Sequence, residues 1–176
     1  MLRLGKLFEE NYSYHIDFDF YIPVDIRIDY SETDFEEIIE YGDSKRSILE
    51  IYKQIYSGKI TAITLVNVAK SKISDSQDFR NVTRIRKVPG LKKTFEEDSV
   101  NMIDENWKHI SCNQDFEVIL NENYLMISFC GMTLDRVMTQ MNDLEFIFDQ
   151  NLNLSKIVIK IFDKKSYDLL KEALHL

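Results

Sequence analysis

An α+β fold, with a mixed or antiparallel sheet and helices packed mainly on one face, is predicted by three features of the 176-residue chain. Positions 12–30 alternate strictly between apolar and polar residues, as a strand with one buried and one wet face does. Further on, hairpin-like strand pairs are each followed by a segment of helical periodicity, an order that suits helices laid over an antiparallel sheet. Regular βαβ alternation and a glycine-rich first turn are both missing from the sequence, which argues against a doubly wound nucleotide-binding fold.

In the first element the even positions are Tyr12, Tyr14, Ile16, Phe18, Phe20, Ile22, Val24, Ile26, Ile28 and Tyr30. The odd positions, Tyr21 and Pro23 apart, are Ser, His, Asp or Arg. One strand of that length would run about 60 Å, and Pro23 lacks the N–H that a central ladder needs. The expectation is a bent or bulged edge strand, or two strands broken near Ile22 and Pro23. Thr33-x-x-Glu36 is a capping-box pattern ahead of Phe35, Ile38 and Ile39, with Gly42 as the stop, and predicts a short acidic helix. Asp43 or Ser44 would cap a second helix, whose Ile48, Ile51, Tyr52 and Ile55 form one apolar stripe before Gly58.

Positions 60–69 are β-branched and nearly continuously apolar, as a central strand would be. Positions 70–81 read as a polar loop, and 82–88 as a strand with Arg84 and Arg86 on one face, closed by Pro89 and Gly90. Thr94-x-x-Glu97 opens a third helix, with Phe95, Ser99, Met102, Ile103 and Ile110 on one side and Trp107 close to it. Positions 116–120 and 124–130 flank an Asn-Glu-Asn turn as a hairpin. Leu134, Val137, Met138 and Met141 recur at helical spacing over 133–141. Positions 144–148 and 156–162 form another strand pair, and Asp163 caps a last helix carrying Tyr167, Leu170 and Leu174.

A chain of this length is one domain, expected to span 1–176, and can bury roughly 70% of its unfolded surface. With 44% hydrophobic residues, 5 Gly and 2 Pro, its composition is that of a folded globular protein. The first ten residues hold no apolar run of signal-peptide length, and no segment approaches the roughly 20 apolar residues that span a bilayer as a helix. Cys112 and Cys130 are too few for a disulfide framework, which fits a reducing, cytoplasmic setting without membrane association.

Charge is unevenly distributed. The net charge of −8 arises from 30 acidic and 22 basic residues. Lys70, Lys72, Arg80, Arg84, Arg86, Lys87, Lys92 and Lys93 cluster with only Asp75 and Asp78 among them, whereas the first 43 residues are the most acidic part of the chain. Most of such a surface repels nucleic acid and attracts basic partners, while the basic strip stands apart.

His15, Asp17 and Asp19 share one strand face and form the first place to look for a metal or small-ligand site, since imidazole and carboxylates are competent ligands. The same parity runs on through Asp25, Arg27 and Asp29, so the simpler reading is the polar half of an amphipathic strand whose charges protect a sheet edge. Strand parity places Cys130 with Tyr124 and Met126 as a small buried residue. His109-x-x-Cys112 is half a zinc motif whose other half is missing. No P-loop, nucleophile elbow, His-Glu-x-x-His or EF-hand pattern occurs, so no catalytic residue, metal or cofactor is assigned.

The reading that follows is a non-catalytic inhibitor of the immunity or antitoxin type, whose acidic surface docks on a basic partner such as a nucleic-acid-degrading toxin. Its contacts are expected at Asp17, Asp19, Asp25, Asp29, Glu32, Asp34, Glu36, Glu37 and Tyr41. Arg84, Arg86, Lys92 and Lys93 are candidate phosphate contacts. The alternative is an enzyme or small-ligand-binding domain with its site near His15, Asp17 and Asp19. An exposed edge within 12–30 leaves a homodimer open as well.

Overall fold

The computed structural model describes residues 1–9, 12–30, 35–43, 45–73, 83–93, 100–104 and 107–176. The strands are β1 (Leu2–Phe8), β2 (Tyr12–Asp17), β3 (Val24–Tyr30), β4 (Glu36–Gly42), β5 (Ile48–Gln54), β6 (Ile60–Asn67), β7 (Ser71–Ile73) and β8 (Thr83–Ile85). They continue as β9 (Val88–Lys93), β10 (Val100–Asp104), β11 (Trp107–Cys112), β12 (Phe116–Asn121), β13 (Tyr124–Phe129), β14 (Asp135–Met141), β15 (Leu144–Asp149) and β16 (Leu154–Lys160). The only helix among the described residues, α1 (Lys164–Ala173), closes the chain.

The first sheet runs β10-β11-β4-β5-β6-β3-β2 and the second β7-β12-β13-β16-β15-β14-β8. Neighbours are antiparallel except β11 with β4, β7 with β12 and β8 with β14. The inner faces share one core. Val24, Ile26 and Ile28 from β3 and Leu49 and Ile51 from β5 meet Leu125, Ile127, Phe146 and Phe148 of the second sheet in a single cluster. The Tyr41 ring lies 4.9 Å from that of Phe129 and ties the layers. Each such Ile, Leu or Phe contributes about 1.5–3 kcal/mol by leaving water. A separate ribbon, β1 with β9, spans the side of the sandwich: the Leu4 amide donates to Leu152 O at 2.8 Å, and the Leu91 amide to Gly58 O at 2.7 Å.

The fold is therefore nearly all β and not the expected α+β arrangement. Three segments read as helices are strands: 33–42 contains β4, 43–58 contains β5, and 133–141 contains β14. A fourth, 94–110, holds β10 and part of β11, with 94–99 and 105–106 outside the described residues. Helical spacing at Ile48, Ile51, Tyr52 and Ile55 coincides with a period of two at Leu49, Ile51 and Lys53, and it is the second set that is buried. The β-branched residues Ile38, Ile39, Ile48 and Ile51 favour the strand, where their stiff side chains pack on a pleated surface. Gly42 does not stop a helix. Its φ of 109° turns β4 into β5, and a Cβ there would sit 1.9 Å from Ser47 O.

Other elements match expectation more closely. The alternating segment breaks into the hairpin β2–β3, with Phe18 to Pro23 as its connection and β2 on the sheet edge. β6 lies well inside its sheet, and β12–β13 and β15–β16 pair as hairpins. Asp163 caps α1 by accepting from the Ser166 amide at 2.8 Å. Leu170 and Leu174 bury the helix against the end of the sandwich near β12, where Ser71 Oγ donates to Leu174 O. Part of the expected loop at 70–81 is β7, and the remainder from residue 74 lies outside the described residues.

Asp149 organises the turn between β15 and β16. Its carboxylate accepts from the amides of Asn151 (2.9 Å) and Asn153 (2.8 Å) and from Thr133 Oγ1 (2.8 Å). Burial pushes its pKa up, but these hydrogen bonds outweigh that and hold it below the ordinary carboxylate value. A depressed folded-state pKa gives stability that is complete above about pH 4 and lost as pH falls through the folded value. Asp149→Asn is expected to be less stable than the parent at neutral pH, with the difference shrinking below about pH 4. Urea melts across that range check it, and a pH-independent difference would contradict the assignment.

Inside the core, Thr139 faces Phe146 with 0% exposure, and its hydroxyl has no hydrogen-bond partner among the described residues. Thr139→Val removes a desolvated hydroxyl at nearly constant shape and is expected to stabilise by about 1 kcal/mol. The urea midpoint reads the change directly, and a fall in midpoint would show that the hydroxyl is satisfied.

Candidate functional site

Parity divides the first sheet into an apolar inner face and an acidic outer one. On β2 and β3 the outward residues are Ser13, His15 and Asp17, paired in register with Asp29, Arg27 and Asp25. On β4 and β5 they are Glu36, Ile38 and Glu40 with Glu50 and Tyr52, and His109 of β11 lies beside Glu40. Two carboxylate pairs stand directly opposite across strands, Asp17 with Asp25 and Glu40 with Glu50. Like charges so placed destabilise a sheet.

Neighbouring groups offset part of that repulsion. His15 Nε2 lies 2.8 Å from Asp17 Oδ2. Asp25 receives Arg27 Nε at 3.1 Å and Thr64 Oγ1 at 2.8 Å. The Arg27 guanidinium rests 5.6 Å over the Tyr52 ring, whose hydroxyl donates to Glu50 at 2.7 Å. Burial first, and then the Glu50 carboxylate, raise the Tyr52 pKa, so the hydroxyl stays a proton donor at any physiological pH. Glu40 has the His109 ring at 3.4 Å. The hairpin is the open part of the face: the His15 and Asp17 side chains are 71% and 64% exposed, against 14% for Glu40.

The tip of the β2–β3 hairpin is apolar. Asp19 Oδ1 accepts from the Tyr21 amide at 2.8 Å and fixes the bend. Phe20 and Tyr21 meet edge to face at 5.2 Å, and Phe20, Tyr21 and Ile22 are 40%, 82% and 41% exposed. Beside them a groove of about 330 Å³ is walled by Phe20, Pro23, Ile48, Val66, Val68 and Leu174. Large aromatic side chains left in water beside a charged rim have the composition of an interface anchor.

Of the expected contact residues, Asp17, Asp25, Asp29 and Glu36 share the outer face, and Asp19 stands at the hairpin tip. Glu37 and Tyr41 do not belong with them. Both point into the sandwich, because β4 alternates and Glu36, Ile38 and Glu40 take the outer positions. Glu37 pairs with Lys53 at 2.9 Å, their side chains 4% and 5% exposed. Tyr41 accepts the Leu2 amide at 3.2 Å, and burial drives its pKa upward. Glu32 and Asp34 lie outside the described residues.

The basic strip is divided between layers. Arg84 lies on β8 at the edge of the second sheet and Arg86 just beyond it, both exposed and in no ion pair among the described residues. Lys92 belongs to the β1–β9 ribbon, and the side chain of Lys93 lies outside the described residues. His15, Asp17 and Asp19 do not converge, since Asp19 is turned to its own bend; no group of three His, Cys, Asp or Glu side chains is placed to hold a metal among the described residues. Cys130 is exposed in the turn after β13 and not buried as expected, because the strand ends at Phe129. Among the described residues no helix is long and apolar enough to cross a membrane.

Sequence reasoning did not place Glu40, Glu50, Tyr52 and His109 on this face: all lie within segments read as helices, with Tyr52 assigned to an apolar stripe and His109 to half a zinc motif. For Glu40, Glu50 and Tyr52 the signal was the period of two across β4 and β5; His109, on β11, had none. Glu37→Ala is expected to destabilise by about 3 kcal/mol, because Lys53 is left as an uncompensated buried charge. Glu36→Ala, one residue away on the wet face, should change stability by less than about 0.5 kcal/mol. Urea denaturation of the two variants separates the faces, and equal effects would contradict the parity described. No protein-family model matches this chain, and no curated protein matches it in sequence.

Proposed function

We propose that this chain is a non-catalytic binding protein that docks on a basic protein through the outer face of its first sheet, with the hairpin tip as anchor. The observation that carries this is the two pairs of opposed carboxylates, Asp17 with Asp25 and Glu40 with Glu50, on a face flanked by exposed Phe20, Tyr21 and Ile22. Cross-strand repulsion of this kind weakens the free fold and is relieved when a cationic surface covers it. Seven strands about 4.8 Å apart and about 20 Å long present a face on the order of 600 Å², close to the roughly 800 Å² each partner gives to a standard interface.

The partner chemistry that fits is a surface rich in Arg and Lys with an apolar recess for the tip. Enzymes that degrade nucleic acid carry such a surface around their active site, and an inhibitor of the immunity or antitoxin type would cover it. Acidic complementarity would speed association, while Tyr21 and Phe20 would slow dissociation.

Capture from the native host at low and high salt, with the parent and two variants as bait, tests the reading. A basic partner should be retained by the parent, released by raised salt, and lost with Asp25→Lys/Asp29→Lys and with Phe20→Ser/Tyr21→Ser. If the captured protein is a nuclease, the parent should inhibit it. A partner no more basic than the average protein, or one held equally by both variants, would overturn the proposal.

A further inference from the structure

β2 is the last strand of the first sheet and β8 the last of the second, and the two edges lie on the same side of the sandwich. The sheets stack in the same order, with Tyr41 of the third strand in one against Phe129 of the third strand in the other. The Tyr14 hydroxyl of β2 donates to Asp143 in the turn between β14 and β15, and Lys87, just after β8, pairs with Glu9, just before β2, at 2.7 Å. Among the described residues no backbone hydrogen bond leaves β2 except into β3, or β8 except into β14.

These two edges carry opposite charge. On β8, Ile85 lies opposite Thr139 in the core, so Arg84 and Arg86 take the outer side. Arg136 of β14 joins them, two residues from Met138, the partner of Arg84 in register. All three arginines are exposed and make no ion pair among the described residues. At the β2 edge the outer carboxylate is Asp17, with Asp25 and Asp29 behind it on β3. On the inner side Ile16 of β2 and Ile85 of β8 are both half-buried. An open edge is a template for a further strand, and its charges decide which strand fits. β2 against β2 would bring carboxylates together and β8 against β8 guanidiniums, and like charges across a ladder are destabilising. β2 against β8 places arginine beside aspartate and isoleucine beside isoleucine. A nucleic-acid strand suits the arginine edge less well, because none of the exposed aromatic residues among those described lies on β8, β14 or β15 to stack on a base.

We infer that two copies of this chain form a dimer in which β2 of each pairs with β8 of the other. A two-fold axis parallel to the strands exchanges the sheets as it exchanges the copies, so both contacts form at once and the assembly closes without propagating. Each resulting sheet joins seven strands of one copy to seven of the other. Main-chain hydrogen bonds supply the ladder, while Arg84 and Arg86 offset the repulsion between Asp17 and Asp25 that the free hairpin carries. An edge about 20 Å long on a sandwich about 20 Å deep with its side chains gives on the order of 400 Å² per copy, the lower end for a specific interface, so the dimer is reversible. The inference does not depend on the docking proposed above.

Sedimentation equilibrium of the full chain over a concentration series, at low and high salt, tests it. A monomer–dimer equilibrium in the micromolar range is expected, weakened by raised salt. Arg84→Glu/Arg86→Glu and Asp17→Arg/Asp29→Arg should each weaken it at least about tenfold, since each sets like charges across the seam. Mixed in equal amounts, the two charge-reversed variants should pair with each other at close to the parental affinity. All four positions are exposed, and thermal melting confirms that each variant folds. A chain monomeric throughout, a dimer that survives both reversals, or a mixture that fails to pair would overturn the inference. Titration with a fluorescent single-stranded oligonucleotide runs alongside: a monomer that binds it through Arg84 and Arg86 would also overturn the dimer and assign that edge to nucleic acid.

Discussion

Two sheets facing one core impose a single constraint on this chain: every strand must send alternate side chains inward. Val24, Ile26, Ile28 and Tyr30 do so on β3, and Leu144, Phe146 and Phe148 on β15. What is left for the outer face of the first sheet is the complementary set, and in β2 to β5 that set is acidic. The charge pattern of the surface is thus coupled to the packing of the core. A one-residue slip of β4 would bring Glu36 and Glu40 into the sandwich and put Ile39 and Tyr41 in water.

The same constraint explains why adjacent glutamates on β4 have opposite fates. Glu37 is inside and survives there because Lys53 reaches it from β5. Glu36 and Glu40 are on the outer side, where Glu40, its side chain only 14% exposed, has the neighbouring His109 at 3.4 Å. A buried ion pair at the end of the sheet and an acidic field across its outside are therefore products of one alternation.

Much of this was legible where alternation was unbroken and local. The hairpin β2–β3, broken over Phe18 to Pro23, the pairs β12–β13 and β15–β16 and the Asp163 cap follow from residues within a few positions of one another. β4, β5 and β14 were not legible in that way, because doublets such as Ile38-Ile39 and Val137-Met138 satisfy helical spacing as well as a strand. Non-local pairing decides between them: β4 is held by β11, far along the chain, and β14 by β8. The acidic face was half visible for the same reason. Asp17, Asp25 and Asp29 could be placed by parity, whereas Glu40, Glu50, Tyr52 and His109 needed the strand assignment first.

The central claim is that the acidic outer face and the hairpin tip form the docking surface. Amide hydrogen exchange of the chain, free and bound to its partner, tests it most directly. The account predicts new protection at 15–29, centred on the tip at Phe20 and Tyr21, and extending across β4 and β5. Protection confined to the outer face of the second sheet or to the β1–β9 ribbon, with the hairpin unchanged, would contradict it.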